Sequence, residues 1–251
     1  MDPAVRSRRR YDGRVATPKS RRHEPPRDVS FPPLTAFDGD LADGEDYEAV
    51  EIAARDLGGA SAVGASFLGC RLGRCGIDGI RLDRARLTEC HVVEITAASI
   101  HAGDSSWRDA LLEEARVGAL LASGSTWDLV RLRGIKANLV DLRVARLTDV
   151  VFEDCTIGEL DLGSAELRAV RFERTTIDDL SVEGARLTDV DLVGAQLGVV
   201  RGIAGLRGAS ICPVQLLDLA PLLAAHLWIT VREQAPASGR SADPAGGSMR
   251  P

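Results

Sequence analysis

The sequence predicts an all-β solenoid made of about seven four-sided coils of twenty residues, followed by a short C-terminal helical cap. Two observations carry this prediction: apolar residues recur at every fifth position, and one short phrase recurs only at multiples of twenty. Neither the two-residue period of a half-buried strand nor the 3.6-residue period of an amphipathic helix describes the pattern. The five-residue unit is therefore the element from which the fold is built.

The five-residue period runs without a change of phase from Phe67 to Leu197. Every fifth residue in that stretch is apolar, and the residue two positions earlier is apolar or small in nearly every unit. The other three positions carry nearly all of the charge. Since two side chains of each unit point inward, the chain must turn a corner at each unit, and repeated corners wind it into a coil.

Four units close one coil, because side-chain volume repeats every twenty residues. The phrase "ARLTDV" occurs at residues 145–150 and 185–190, and "ARLTEC" occurs at 85–90. Residues stacked on one wall share one local width and so have similar volumes. One series is always small and another always large: Ala65, Ala85, Ser105, Ser125, Ala145, Ala165 and Ala185 against Ile80, Ile100, Leu120, Val140, Leu160, Leu180 and Val200.

Units such as residues 145–149 (ARLTD), 165–169 (AELRA) and 185–189 (ARLTD) resemble the pentapeptide-repeat family. The resemblance covers residues 65–202 and implies a right-handed quadrilateral β-helix. It also implies a function to consider, since some members of that family resemble B-form DNA in shape and charge, bind DNA gyrase and influence quinolone sensitivity. Several members form dimers, which the resemblance implies as an option here.

Composition divides the chain into four segments. Residues 1–45 are rich in arginine and proline with few large apolar side chains, so we expect a disordered basic tail. Residues 46–212 form the predicted β-helix, with an irregular first coil because Glu45 and Arg55 occupy positions that should be apolar. Residues 213–233 form the helical cap, which Pro213 can begin and Pro221 should interrupt. Residues 234–251 form a second disordered tail.

The chain contains none of the motifs that mark common catalytic or nucleotide-binding sites, so we expect no enzyme activity, cofactor or metal. His91 and His101 fall on different walls, which argues against a shared metal ion. Residues that could be mistaken for site residues occupy inward positions, where we expect a buried hydrophobic role: Cys70, Cys75, Cys90, Cys155, Trp107 and Trp127.

Surface charge is the remaining functional signal. Between residues 149 and 191 there are twelve acidic residues against four arginines. The twenty-residue register stacks Glu153 beside Glu173 and Glu159 beside Asp179, and like charges on neighbouring strands are unfavourable. A solvent-exposed face can carry such stacked like charges at a modest cost in stability. The functional alternative is that these acidic residues form an interaction face. The candidate acidic interaction face consists of Asp149, Glu153, Glu159, Glu173, Asp179 and Asp189.

The leading hypothesis is a non-catalytic cytoplasmic scaffold that binds an unidentified protein partner. The alternative is a DNA-mimicking modulator of DNA gyrase. The helical cap is either a plain end cap or a homodimer contact through Leu216, Leu223 and Trp228. The basic tail could bind nucleic acid weakly. No run of eighteen apolar residues occurs, so we expect no membrane span.

Overall fold

A computed structural model describes residues 33–232 and contains 23 strands, a short 3-10 helix (Ile203–Leu206) and one α-helix. The predictions for residues 1–32 and 233–251 lie outside this range. In chain order the elements are β1 (Thr35–Ala36), β2 (Asp46–Glu48), β3 (Val50–Ala53), β4 (Ser66–Leu68), β5 (Arg71–Gly73), β6 (Ile80–Arg81), β7 (Arg86–Thr88), β8 (His91–Val93), β9 (Thr96–His101), β10 (Ser106–Glu113), β11 (Arg116–Leu121), β12 (Thr126–Arg133), β13 (Lys136–Asp141), β14 (Arg146–Thr148), β15 (Val151–Glu153), β16 (Thr156–Asp161), β17 (Glu166–Arg168), β18 (Arg171–Glu173), β19 (Thr175–Ser181), β20 (Arg186–Thr188), β21 (Val190–Asp191), β22 (Ala195–Arg201), β23 (Ala209–Ser210) and α1 (Pro213–His226).

The coil has four walls, each defined by a row of inward side chains spaced by twenty residues. Wall 1 carries the row that contains Trp107, wall 2 the row of Leu112, wall 3 the row of Val117 and wall 4 the row of Ala122. The five residues centred on each inward residue belong to that wall. The all-β solenoid predicted from the sequence is confirmed, and the wall 1 row runs through about eight turns from Tyr47.

All strand pairs are parallel, and nearly all join residues twenty apart along the chain. Walls 1 and 2 form a 16-stranded sheet, and wall 3 with the first residues of wall 4 forms a 7-stranded sheet. The rest of wall 4 consists of turns, whose backbone groups still bond to the next coil, as when Arg84 N donates to Gly103 O at 2.8 Å. Every coil therefore satisfies the backbone polar groups of its neighbours.

Left-handed residues turn three of the four corners. Examples are Asp149 (φ 53°) between walls 1 and 2, Asp154 (φ 52°) between walls 2 and 3, and Val144 (φ 61°) between walls 4 and 1. In the central coils, strands such as β11 continue from wall 3 into wall 4 without a left-handed residue at that corner.

Wall 3 also contains glycines that the packing of the coils requires. A Cβ atom at Gly158 would lie 2.7 Å from the carbonyl oxygen of Asn138 on the preceding coil. Gly118 and Gly198 would collide in the same way with the carbonyl oxygens of Ala98 and Asp178. These glycines recur every forty residues, so every second coil lacks a side chain at this position of wall 3.

Aromatic pairs fill the core where the register stacks them. Trp107 lies directly beside Trp127, with ring centroids 5.5 Å apart. Phe152 and Phe172 stack on wall 2 at 4.7 Å. Because both tryptophans are buried, the predicted core role of the tryptophan pair is confirmed.

The ordered region begins earlier than the sequence suggested. Strand β1 pairs with β3, and Phe37 packs edge-on against Tyr47 at 5.3 Å, although both β1 and Phe37 lie within the segment that was expected to be disordered. Arg55 is accommodated because it donates a hydrogen bond to the carbonyl of Gly39 at 2.6 Å. The first coil is also regular, since β2 pairs in register with β4. A few apolar residues are enough to order this segment, because it covers the otherwise unpaired edge of the sheet.

At the other end, α1 runs through Pro221 without the predicted interruption. Pro221 is exposed, so the carbonyl that loses its partner can bond to water. The side of α1 that packs on the last coil carries buried Gln215 and Leu219 before the proline and partly buried Leu223 after it. Within residues 33–232, no helix is long and apolar enough to cross a bilayer.

Candidate interaction surfaces

The six residues of the candidate acidic face lie on three walls. Asp149 and Asp189 are corner residues of wall 1, and Glu153 and Glu173 are on wall 2. Glu159 and Asp179 are on wall 3, beside the corner to wall 4. The structure therefore brings them together in pairs and not as one continuous face.

The two stacked pairs have the predicted register, and arginines compensate both of them. Glu159 lies directly beside Asp179, and Arg201 bonds to Glu159 at 2.7 Å and to Asp179 at 2.9 Å. The hydrogen bond that Arg201 donates to Glu159 and the charge of Asp179 raise the pKa of the Arg201 guanidinium. The sequence interpretation missed Arg201 because its partner Glu159 lies 42 residues earlier, two coils away.

A second arginine, Arg174, binds acidic side chains of wall 2. Arg174 bonds to Asp154 at 2.6 Å and to Glu153 at 2.7 Å. Its hydrogen bond holds the pKa of Asp154 below the usual value. Glu173 has a longer contact, 4.0 Å, with Arg171. Much of the apparent acidity of walls 2 and 3 is therefore neutralised within the molecule.

The histidines lie apart, as predicted. His91 is on wall 2 and bonds to Glu113 at 2.6 Å, and Arg133 forms an ion pair with the same carboxylate. His101 lies on wall 4. Across residues 33–232, no group of three or more His, Cys, Asp or Glu side chains is arranged to hold a metal ion.

The inward cysteines are buried thiols that donate to main-chain carbonyls. Cys75 donates to Gly73 O, and Cys155 donates to Glu153 O, both at 3.3 Å. Burial raises the pKa of Cys155 to about 11. Cys70 donates to Leu68 O at 3.4 Å and Cys90 to Thr88 O at 3.3 Å. The interaction between these two neighbouring thiols lowers the pKa of Cys70 and, together with burial, raises that of Cys90. Their burial agrees with the predicted hydrophobic role.

The C-terminal end presents apolar side chains to solvent. Of the three predicted dimer contacts, Trp228 is 93% exposed and Leu216 is 49% exposed, whereas Leu223 is partly buried against the core. Leu217, which was not predicted, is 73% exposed. Its position two residues after buried Gln215 is the signal that could have identified it, because neighbouring positions of a helix point to different sides.

Internal space does not provide a ligand site of ordinary size. The core of the solenoid encloses a cavity of about 60 Å³ lined by apolar residues such as Leu87 and Trp107. Ligand pockets usually measure about 300–1,000 Å³. Two shallow grooves of 370 and 450 Å³ lie on the outside of wall 3 and meet at Arg116 and Lys136, which the sequence interpretation did not single out.

No family model matches the chain, and no curated protein matches it. Solved structures that resemble it include QnrB1, a plasmid-mediated fluoroquinolone resistance protein, with 18% identity over 79% of this chain and 96% of that one and a TM-score of 0.32. A second QnrB1 structure gives 20% identity over 78% and 95%, with a TM-score of 0.27. HetL, a pentapeptide-repeat protein involved in heterocyst differentiation regulation from the cyanobacterium Nostoc, gives 20% identity over 69% and 92%, with a TM-score of 0.24.

Because these TM-scores are all below 0.5, the architecture is established from the chain's own repeat. Inward side chains recur every five residues, and parallel strands pair at a spacing of twenty. From β2 to β22, successive coils stack on four walls with partners twenty residues apart. This five-residue unit, twenty-residue coil and four-walled cross-section give the chain the fold of a pentapeptide-repeat protein.

Proposed function

We propose that the chain is a non-catalytic, cytoplasmic scaffold that acts by binding other protein surfaces. The observation that carries this proposal is the apolar C-terminal end, where Leu217, Trp228 and Val231 are 73%, 93% and 80% exposed. Contiguous exposed apolar patches on soluble domains mark interaction sites. The walls of the solenoid, in contrast, expose mainly charged and polar side chains.

The first partner that this end fits is a second copy of the chain. Val214, Leu217 and Pro221 recur at helical spacing on the side of α1 away from the solenoid, and Trp228 is exposed two residues after the helix ends. Two such stripes can pack across a two-fold axis, which is the commonest symmetry of homo-oligomers. Leu216 borders this stripe, and Leu223 supports it from the core side.

Sedimentation over a concentration series tests this contact. We expect the full chain to form dimers at micromolar concentration and the double variant Leu217→Ser/Trp228→Ser to remain monomeric with an unchanged solenoid. Val144→Ser is the matched control, because Val144 is an exposed apolar residue on a distant corner. A wild-type chain that stays monomeric at tens of micromolar would contradict the dimer.

The DNA-mimic function is the weaker candidate. A DNA mimic needs rows of uncompensated carboxylates, and here Arg174 and Arg201 bind the acids that stack most closely. A gyrase supercoiling assay with the purified chain decides this point. Inhibition or quinolone protection at micromolar protein, lost on changing Glu153, Glu173 and Asp179 to neutral residues, would restore that function over the scaffold.

A further inference from the structure

Wall 3 carries two stacked cations. Arg116 pairs in register with Lys136, and threonines continue the same outward column on both sides, Thr96 before and Thr156 after. Neighbouring strands lie about 4.8 Å apart, so like charges directly opposite each other are unfavourable. Both side chains are exposed.

These two cations have no ion-pair partner among residues 33–232. In contrast, the stacked acids Glu159 and Asp179 on the same wall share Arg201. The fold therefore compensates one stack of like charge on wall 3 and leaves the other open. An anionic partner would relieve the repulsion between Arg116 and Lys136 and gain charge-assisted hydrogen bonds.

The surface beside the cations is low and flat. Gly118, Asn138 and Gly158 follow one another next to the cation column, and at both glycines a carbonyl oxygen of the preceding coil leaves no room for a side chain. The 450 Å³ groove over these residues runs across the strands, along the solenoid. An extended peptide can lie in such a groove without meeting a protruding side chain.

Nearby carboxylates limit the charge of the occupant. Glu94 and Glu114 line the neighbouring 370 Å³ groove on the wall 2 side of the cations, and Asp178 lies at the far end of the 450 Å³ groove, two coils beyond Lys136. A long polyanion such as a nucleic acid would meet these carboxylates, and two cations give it little counterion-release energy. A segment with a short acidic pair avoids both problems.

We propose that wall 3 is a docking site for an extended peptide segment carrying two acidic residues separated by one residue, bound through Arg116 and Lys136. This inference rests on the scaffold function and names the kind of partner. Alternate side chains of an extended peptide point the same way about 6.6–7 Å apart. The long arginine and lysine side chains can spread from the strand spacing to reach both carboxylates.

The test is a fluorescence-anisotropy titration of the full chain with a short labelled peptide that carries Asp-Thr-Asp between Gly/Ser flanks, compared with its Asn-Thr-Asn counterpart. We expect the acidic peptide alone to bind, with an affinity that falls as salt rises. The double variant Arg116→Gln/Lys136→Gln should weaken binding by about tenfold or more. The exchange Arg116→Lys/Lys136→Arg should retain most of it.

The matched control is Arg86→Gln/Arg168→Gln, which removes the same charge from exposed positions of wall 1. It should bind the acidic peptide nearly as well as the wild type. Equal binding of both peptides, equal loss in both double variants, or no binding to the wild type would overturn the proposal. So would a change in self-association caused by Arg116→Gln/Lys136→Gln, because the wall would then belong to an interface between copies.

The scaffold function and the docking site on wall 3 can be refuted independently of each other. If cross-linking in lysate captures the same proteins with the wild type and with Arg116→Gln/Lys136→Gln, the scaffold function stands and this docking site does not. If the peptide titration succeeds and no self-association or capture is found, the docking site stands without the C-terminal contact.

Discussion

The attachment of the C-terminal helix α1 to the last coil depends on one buried side chain, Gln215. Its amide nitrogen donates to the carbonyls of Leu192 and Ala195 at 2.7 and 2.8 Å, and its amide oxygen accepts from Cys212 N at 2.7 Å. The two carbonyls belong to the last coil, which has no further coil to bond to them at these positions. Gln215 therefore supplies hydrogen bonds to carbonyls at the open edge of the solenoid and also fixes the start of α1.

We expect Gln215→Met to destabilise the chain by about 3–5 kcal/mol. Methionine has a similar length and no hydrogen-bonding amide, so Cys212 N–H and the Ala195 carbonyl lose these partners, each at about 1–3 kcal/mol before water compensates part of the loss. The Leu192 carbonyl keeps the backbone hydrogen bond from Ala195 N at 2.9 Å. For a domain of this size the melting temperature should fall by roughly 6–15 °C.

Urea unfolding followed by tryptophan fluorescence measures this change. Gln196→Met is the matched control, because Gln196 is exposed and its one contact, with Thr176, is 3.4 Å long. The control should stay within about 0.5 kcal/mol of the wild type. A loss below about 1 kcal/mol for Gln215→Met would refute the capping role.

Three further predictions follow from the core, the coil spacing and the carboxylates. Trp127→Ala should cost about 3–5 kcal/mol in urea unfolding because it leaves a cavity beside Trp107. The same change at exposed Trp228 should cost almost nothing when both are compared at a concentration where the chain is monomeric; similar losses would contradict the core stack. Gly158→Ala should destabilise clearly because its Cβ would lie 2.7 Å from a carbonyl oxygen, while Gly73→Ala, with 3.6 Å to a side-chain methyl, should be tolerated; thermal melts compare the two. Burial acts to raise the pKa of Asp141, yet the hydrogen bonds and charge of Arg143 hold it below the usual value. The stability that this carboxylate contributes is therefore complete above about pH 4 and lost as pH falls through the lower folded pKa, and Asp141→Asn should flatten that part of a pH series of urea midpoints.

The inward rows could be predicted from the sequence because each coil constrains them twice, by phase and by volume. Trp107 and Trp127 lie where a step of twenty requires. The spread of the acids over three walls was also contained in the five-residue phase, since Glu153 and Glu159 are six residues apart and so fall on successive walls. The sequence interpretation grouped these residues by their composition and did not place them on walls.

Other features needed coordinates. The twenty-residue register predicts which residues stack, but not which neighbouring side chain a long arginine contacts. The hydrogen bonds from Arg201 to Glu159 and from Arg174 to Asp154 were therefore not predicted. Strand β1 is short and polar and gains its structure from the edge it covers. Pro221 is tolerated in α1 because the packing of buried Leu219 outweighs a local preference.

Removing whole coils tests the twenty-residue register most directly. Deleting residues 145–164 joins Val144 to Ala165 and keeps every later residue on its wall. Deleting residues 145–159 keeps the five-residue phase but moves every later residue by one wall, so that Leu160 takes the place of a small alanine. Urea unfolding should show a cooperative transition close to that of the wild type for the first deletion and loss of that transition for the second. Equal tolerance of both deletions would contradict a four-walled coil.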